Sequence, residues 1–171
     1  MSADTPTILL TGATGKLGRS FVRGFAAMGA SIAFTSRSAD SIKDLEAECV
    51  NLGARQAAGI LVDLTAADAP ALIERELKKR NALPSIVIHN ARNTQYLKPE
   101  PKGGISRANW LGEMLLDVVL PYELTMTLAD LPKSPLKTVI NIASIYGVVA
   151  PNLALYDRPE FDSPVNYGVA K

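Results

Sequence analysis

Short apolar runs alternate along this chain with stretches in which apolar residues recur every three or four positions. The runs predict buried strands over residues 7–10, 31–35, 57–62, 85–88 and 137–143, and the recurring stretches predict helices between them. Leu17, Phe21, Phe25 and Met28 mark the first helix, which Gly29 ends. Ile42, Leu45, Cys49 and Leu52 mark the second, with Gly53 as a left-handed cap. Thr65 and Asp68 have capping-box spacing ahead of Leu72, Ile73 and Leu77. Ser106 can cap a long helix reaching about Asp130, and Pro121 should kink it, because proline lacks the helical N–H. Residues 93–105 and 147–164 read as loops, and a last helix begins near Val165. The fourth strand is apolar without alternation, as burial on both faces requires. Five strands alternating with helices predict an α/β fold, a doubly wound parallel sheet, in a single domain over residues 1–171.

The sharpest local signal is the segment TGATGKLG, residues 11–18, which follows the first strand and opens the first helix. That is the context of a dinucleotide fingerprint. Gly12 permits a tight turn, Gly15 lets backbone approach a pyrophosphate, and Gly18 lets the helix pack closely on the sheet. Thr14, Lys16 and Leu17 complete the loop, and the helix N-terminus offers free N–H groups to phosphate. An acid at the end of the second strand would favour NAD by binding the ribose 2′-OH. This chain has Ser36 and Arg37 there instead. Arg37 can fork onto a 2′-phosphate and Ser36 can donate to it, with Lys16 adding charge, so the expected cofactor is NADP and NAD is the lesser candidate.

Composition narrows the classes of partner. The net charge of +1 advertises neither nucleic acid nor membrane, and no apolar run has the length of a membrane span. The single cysteine, Cys49, excludes an internal disulfide and reads as core. With one histidine, His89, an ordinary metal site is not expected. Residues 1–5 show no signal-peptide pattern, so a soluble cytoplasmic protein is the default.

Further motifs occur in order. Asp63 and Leu64 follow the third strand, His89-Asn90-Ala91-Arg92 the fourth, Ser144 the fifth, and Tyr167 and Lys171 form a Tyr-x-x-x-Lys pair. Together with the glycine loop these resemble the short-chain dehydrogenase/reductase family over the whole chain. The resemblance implies that Asp63 and Leu64 hold adenine, and that Asn90 and Ala91 line the cofactor site. It further implies that Ser144, Tyr167 and Lys171 are catalytic, with Tyr167 and Lys171 also touching the cofactor. A lysine four residues on shares a helix face with the tyrosine, and its ammonium favours tyrosinate. The tyrosine then shuttles the proton, the serine steadies the substrate oxygen, and nicotinamide carries hydride to or from a hydroxyl or carbonyl carbon.

Four departures qualify the resemblance. The Gly-x-x-Gly-x-x-Gly spacing is commoner in the larger family branch of sugar-nucleotide epimerases and dehydratases, so a nicotinamide-retaining epimerase or dehydratase is an alternative. Arg92 replaces a family glycine, where it can crowd the cofactor or reach an anionic substrate. Val119 stands where the family has a helix asparagine that holds water. Pro121 would free the Asp117 carbonyl as a partial substitute. A non-catalytic cofactor-binding protein is the other alternative. Tyr167 lies 23 positions after Ser144, a longer interval than usual, and the extra Tyr156, Asp157, Arg158 and Glu160 suggest a hydrophilic small-molecule substrate such as a sugar. Residues 117–122 and 163–167 also resemble reductases of bacterial surface-glycan and nonulosonic-acid pathways. The family continues past the lysine with two more strands and a closing helix, so a fragment of a longer protein is expected, homo-oligomeric in full-length form.

Overall fold

The structure, a computed structural model, describes residues 5–101, 103–155 and 164–171, except the Leu153 side chain. Tyr156, Asp157, Arg158 and Glu160 lie outside the described residues. Five strands, β1 (Thr7–Leu10), β2 (Ser31–Ser36), β3 (Gln56–Leu61), β4 (Ile86–His89) and β5 (Thr138–Asn141), pair in parallel in the order β3-β2-β1-β4-β5. Helices α1 (Lys16–Ala27), α2 (Ala39–Asn51), α3 (Ala69–Lys79), α4 (Arg107–Met114), α5 (Leu120–Ala129) and α6 (Val165–Ala170) connect or follow them.

Alternate residues of one strand serve opposite faces of the sheet. Ile8 and Leu10 pack with Ile32, Phe34 and Ile88 against Val22 and Ala26 of α1 and Leu45 and Cys49 of α2. Leu9 packs with Ala33, Ile60 and Val87 against Ile73 and Leu77 of α3 and Leu124 and Leu128 of α5. Burial on both faces is the physical reason the central strands read as unbroken apolar runs. The Cys49 thiol is fully buried, and burial followed by the nearby Glu48 and Glu46 carboxylates pushes it up to about 11. It is a core residue.

Several local expectations need correction. The buried stripe of α1 is Gly18, Val22 and Ala26, one residue on from the expected stripe. Leu17 and Met28 are 49% and 77% exposed, while Phe21 and Phe25 stack at 6.4 Å on the helix flank. Small residues let α1 lie close on the sheet, so the larger side chains are displaced sideways. Leu52 is likewise exposed, although Gly53 takes the expected left-handed conformation at φ +99°. Thr65 makes no capping box: its N–H and hydroxyl both donate to Asp63 Oδ1, and α3 begins at Ala69 with no side-chain cap. The loop 93–105 contains a 3₁₀ turn at Thr94–Leu97. Ser106 does cap the long helix, accepting from Asn109 N. Ahead of Pro121 that helix passes through a π turn, Leu115–Val119, in which Leu120 N donates to Leu115 O. No described helix is long and apolar enough to cross a membrane.

Candidate active site

Strand order reverses between β1 and β4, and a crevice opens at the carboxyl ends of such neighbours. Thr11 knits the two ends together. Its hydroxyl oxygen accepts from Asn90 N and Ala91 N, both at 3.0 Å, while Asn90 Nδ2 donates to the carbonyls of Thr11 and Gly12, both at 3.1 Å. Gly12 turns the chain with φ +67°, and a Cβ there would lie 2.6 Å from Ala91 Cα. A Cβ on Gly18 would strike the Gly12 carbonyl. Both positions therefore require glycine. The helix that follows starts from Gly15 with no side-chain cap and no acid in its first turn. Its first N–H groups are unclaimed by side chains, and the residues that carry them line a cleft, so the loop fits a dinucleotide phosphate.

The crevice widens into a cleft of about 670 Å³. Gly12, Thr14, Gly15, Lys16, Leu17 and Gly18 line one part of it. Ser36 and Arg37 line a second, at the end of β2, and Asp63 and Leu64 lie beside them after β3. Ser36 Oγ accepts from Ser38 N at 3.1 Å, which leaves its own proton free to donate. Arg37 is exposed. The backbone and hydroxyl of Thr65 bond Asp63 at 2.9 and 2.8 Å and hold its carboxyl below the usual range, with Arg37 adding to the effect. Asn90, Ala91, Tyr167 and Lys171 line the third part.

Tyr167 and Lys171 stand one turn apart along α6 and its C-cap. The 3₁₀ turn Ile145–Gly147 packs against α6, and a Cβ on Gly168 would lie 2.8 Å from the Tyr146 carbonyl. Lys171 Nζ donates to Ile142 O at 3.0 Å and to Asp117 Oδ1 at 3.1 Å. Both partners of the ion pair are buried, with side-chain exposures of 11% and 2%. The Arg92 guanidinium lies 4.3 Å from the Tyr167 ring centroid, a cation–π distance. Ser144 starts the 3₁₀ turn, where its Oγ accepts from Tyr146 N at 3.2 Å. The cleft wall runs along Ala143 rather than Ser144, so Ser144 is the one expected site residue that the structure leaves outside the cleft.

Sequence reasoning missed Asp117 as a side chain. Val119 is 39% exposed, on the outer side of the helix. The group that reaches Lys171 from this helix is the carboxylate two residues earlier. Its signal was available: Glu113, Leu116, Leu120, Leu124 and Leu128 form the buried stripe, and Asp117 falls beside it with Glu113 one turn before. His89 is buried, with Nε2 3.0 Å from Thr125 Oγ1, and burial lowers it to about 4. It is a neutral packed residue. Among the described residues, no three His, Cys, Asp or Glu side chains are grouped to hold a metal.

The same architecture recurs in solved structures. A short-chain dehydrogenase from Streptomyces avermitilis superposes with a TM-score of 0.77 at 22% identity, over 100% of this chain and 57% of its own. An NAD+-bound xylitol dehydrogenase superposes at 0.75 and 18% identity, over 96% and 58%. L-Sorbose reductase from Gluconobacter frateurii, complexed with NADPH and L-sorbose, superposes at 0.76 and 18% identity, over 97% and 59%. The chain thus spans less than two thirds of the length of these structures. The sequence profile of the short chain dehydrogenases matches residues 6–157. With that match over most of its length, on a parallel sheet with a glycine loop at the β1 end, the chain belongs to the short-chain dehydrogenase family.

Proposed function

We propose that this chain forms the cofactor-binding and proton-transfer part of an NADP-dependent oxidoreductase that interconverts a hydroxyl and a carbonyl group. The observation that carries the reading is the continuity of one cleft, from the uncapped start of α1 past Arg37 to Tyr167 and Lys171. Gly12, Thr14, Gly15, Lys16, Leu17 and Gly18 would hold the pyrophosphate, and Ser36 and Arg37 the 2′-phosphate. Asp63, Leu64, Asn90 and Ala91 would hold the adenosine and the adjoining backbone. Nicotinamide supplies hydride when bound. Tyr167 exchanges a proton with the substrate oxygen, with the Arg92 guanidinium over its ring and Lys171 one turn along α6. Ser144 follows Ala143 at the edge of the cleft, and its oxygen already accepts from Tyr146 N, so its hydroxyl proton would be left for a substrate oxygen that extends past that edge.

A polar substrate such as a sugar fits the polar residues between Ser144 and Tyr167, and the sorbose reductase that shares the fold was crystallised with a sugar. Exposed Leu111, Val118 and Tyr122 on the long helix, with Val165 and Val169 on α6, support a homo-oligomer.

Fluorescence titration with NADPH and NADH tests the reading, followed by turnover assays on polyols, sugars and simple carbonyls. Tighter binding of NADPH and net redox turnover are expected. Tighter binding of NADH would overturn the NADP assignment. A product formed without net redox change, on cofactor retained through purification, would establish the epimerase or dehydratase alternative.

A further inference from the structure

Behind Lys171 lies a group that the proton-transfer scheme does not use. Glu113, on α4, is fully buried. Neither of its carboxyl oxygens meets a donor, and Asp117 Oδ2 is buried without one as well. The charged and titratable groups around Glu113 come from each element packed on α4. Asp117 lies in the π turn, Lys171 at the end of α6, and Arg92 in the loop after β4. Tyr96, in the 3₁₀ turn, lies against Gly112. Lys171 spends its contacts on Asp117 Oδ1 and Ile142 O, and Arg92 lies over Tyr167. Three acceptor atoms on neighbouring carboxyls with no donor between them are costly when buried. One proton resolves the deficit. A protonated Glu113 becomes a donor, and Asp117 is the carboxylate beside it.

Resting on the reading of Lys171 as an active-site residue, we propose that Glu113 is a positioning residue: its neutral carboxyl donates to Asp117 Oδ2 and keeps Asp117 Oδ1 fixed on Lys171 Nζ. Asp117 is then satisfied on both oxygens, and Lys171 is held in place on the wall of the cleft. Burial, and next the Asp117 carboxylate, push the Glu113 carboxyl up to about 7, against the opposing pull of Arg92 and Lys171. Above that pH Glu113 ionises, the donor is lost, and two adjacent carboxylates repel. The anchor of Lys171 therefore loosens as pH rises through neutrality.

Infrared difference spectroscopy on protein labelled with carbon-13 at the glutamate side-chain carboxyl tests the proton directly. Expected is a label-sensitive protonated-carboxyl band at about pH 5.5, well above the ordinary glutamate range. It should fade by about pH 8.5 and be missing in Glu113→Gln. Absence of the band overturns the proposal whether or not the protein proves to be an oxidoreductase. The pH profile of kcat/KM tests the positioning role. The amide introduced by Glu113→Gln donates at every pH, so this variant should retain activity and lose an inflection near neutral pH. Glu113→Leu should lose roughly 10- to 100-fold, the scale of a small misplacement in an active site. Should the infrared band appear while the activity inflection persists unchanged in Glu113→Gln, the link to Lys171 is refuted.

Discussion

Arg37 is the first residue past β2, exposed and on the wall of the cleft. Under the proposed reading, a guanidinium there would distinguish two cofactors that differ only by a phosphate. A charge-assisted hydrogen bond is worth roughly 1.5–3 kcal/mol, so Arg37→Ala should raise the Kd for NADPH about 10- to 100-fold. Its effect on NADH should stay within about threefold, the scale of a weak exposed contact. Titrating the variant with both cofactors checks this, and equal losses would show that Arg37 stacks on adenine instead. The place of Arg37 at the end of β2 was legible because a strand end is read from periodicity. Asp117 was not, because its role depends on which face of the long helix it occupies. Val119, where the family pattern has an asparagine, is turned outward by the helix.

Among the elements, β1 and β4 meet at the site through Thr11, a residue only 1% exposed whose hydroxyl accepts two backbone N–H groups. Thr11→Val keeps the shape and leaves both N–H groups of Asn90 and Ala91 without that acceptor. A buried unsatisfied group costs about 1–3 kcal/mol, and these two are part-buried, so a loss of roughly 2–4 kcal/mol, the lower part of the range for two groups, is expected in urea unfolding. Thr11→Ser should stay within about 1 kcal/mol of wild type. An equally stable valine variant would show that water replaces the hydroxyl. The same scale shows where periodicity stops being informative. It located α1 and α2 and their glycine ends, but it put the α1 stripe one residue early. Periodicity weighs large apolar residues, whereas close packing on the sheet selected Gly18, Val22 and Ala26. The expected capping box failed for a related reason: Asp63, two residues before Thr65, took both of its donors.

At the scale of the molecule, alternation of strands and helices was enough to predict a parallel sheet, since parallel neighbours need crossovers. The reversal of strand order between β1 and β4, where the cleft opens, comes from long-range pairing that periodicity does not encode. Two buried groups near that reversal tie stability to pH in opposite senses. His89 falls from 6.5 to about 4 on burial, so the folded state binds fewer protons than the unfolded one. Its contribution is complete above about pH 6.5 and is lost as pH falls toward 4. Glu113 rises from 4.5 to about 7, so the folded state binds more protons. Its contribution is complete below about pH 4.5 and is lost as pH rises toward 7. Each shift corresponds to about 3 kcal/mol over its full window. Between about pH 4.5 and 6.5 the two slopes have similar size and opposite sign, and they cancel. Replacing either group should expose the other. Relative to wild type, Glu113→Gln should gain stability progressively as pH rises from about 4.5 to 7, and His89→Asn should gain it as pH falls from about 6.5 to 4. Urea unfolding across this range at constant ionic strength reads both differences, and a Glu113→Gln curve parallel to wild type would mean that Glu113 is ionised in the folded protein.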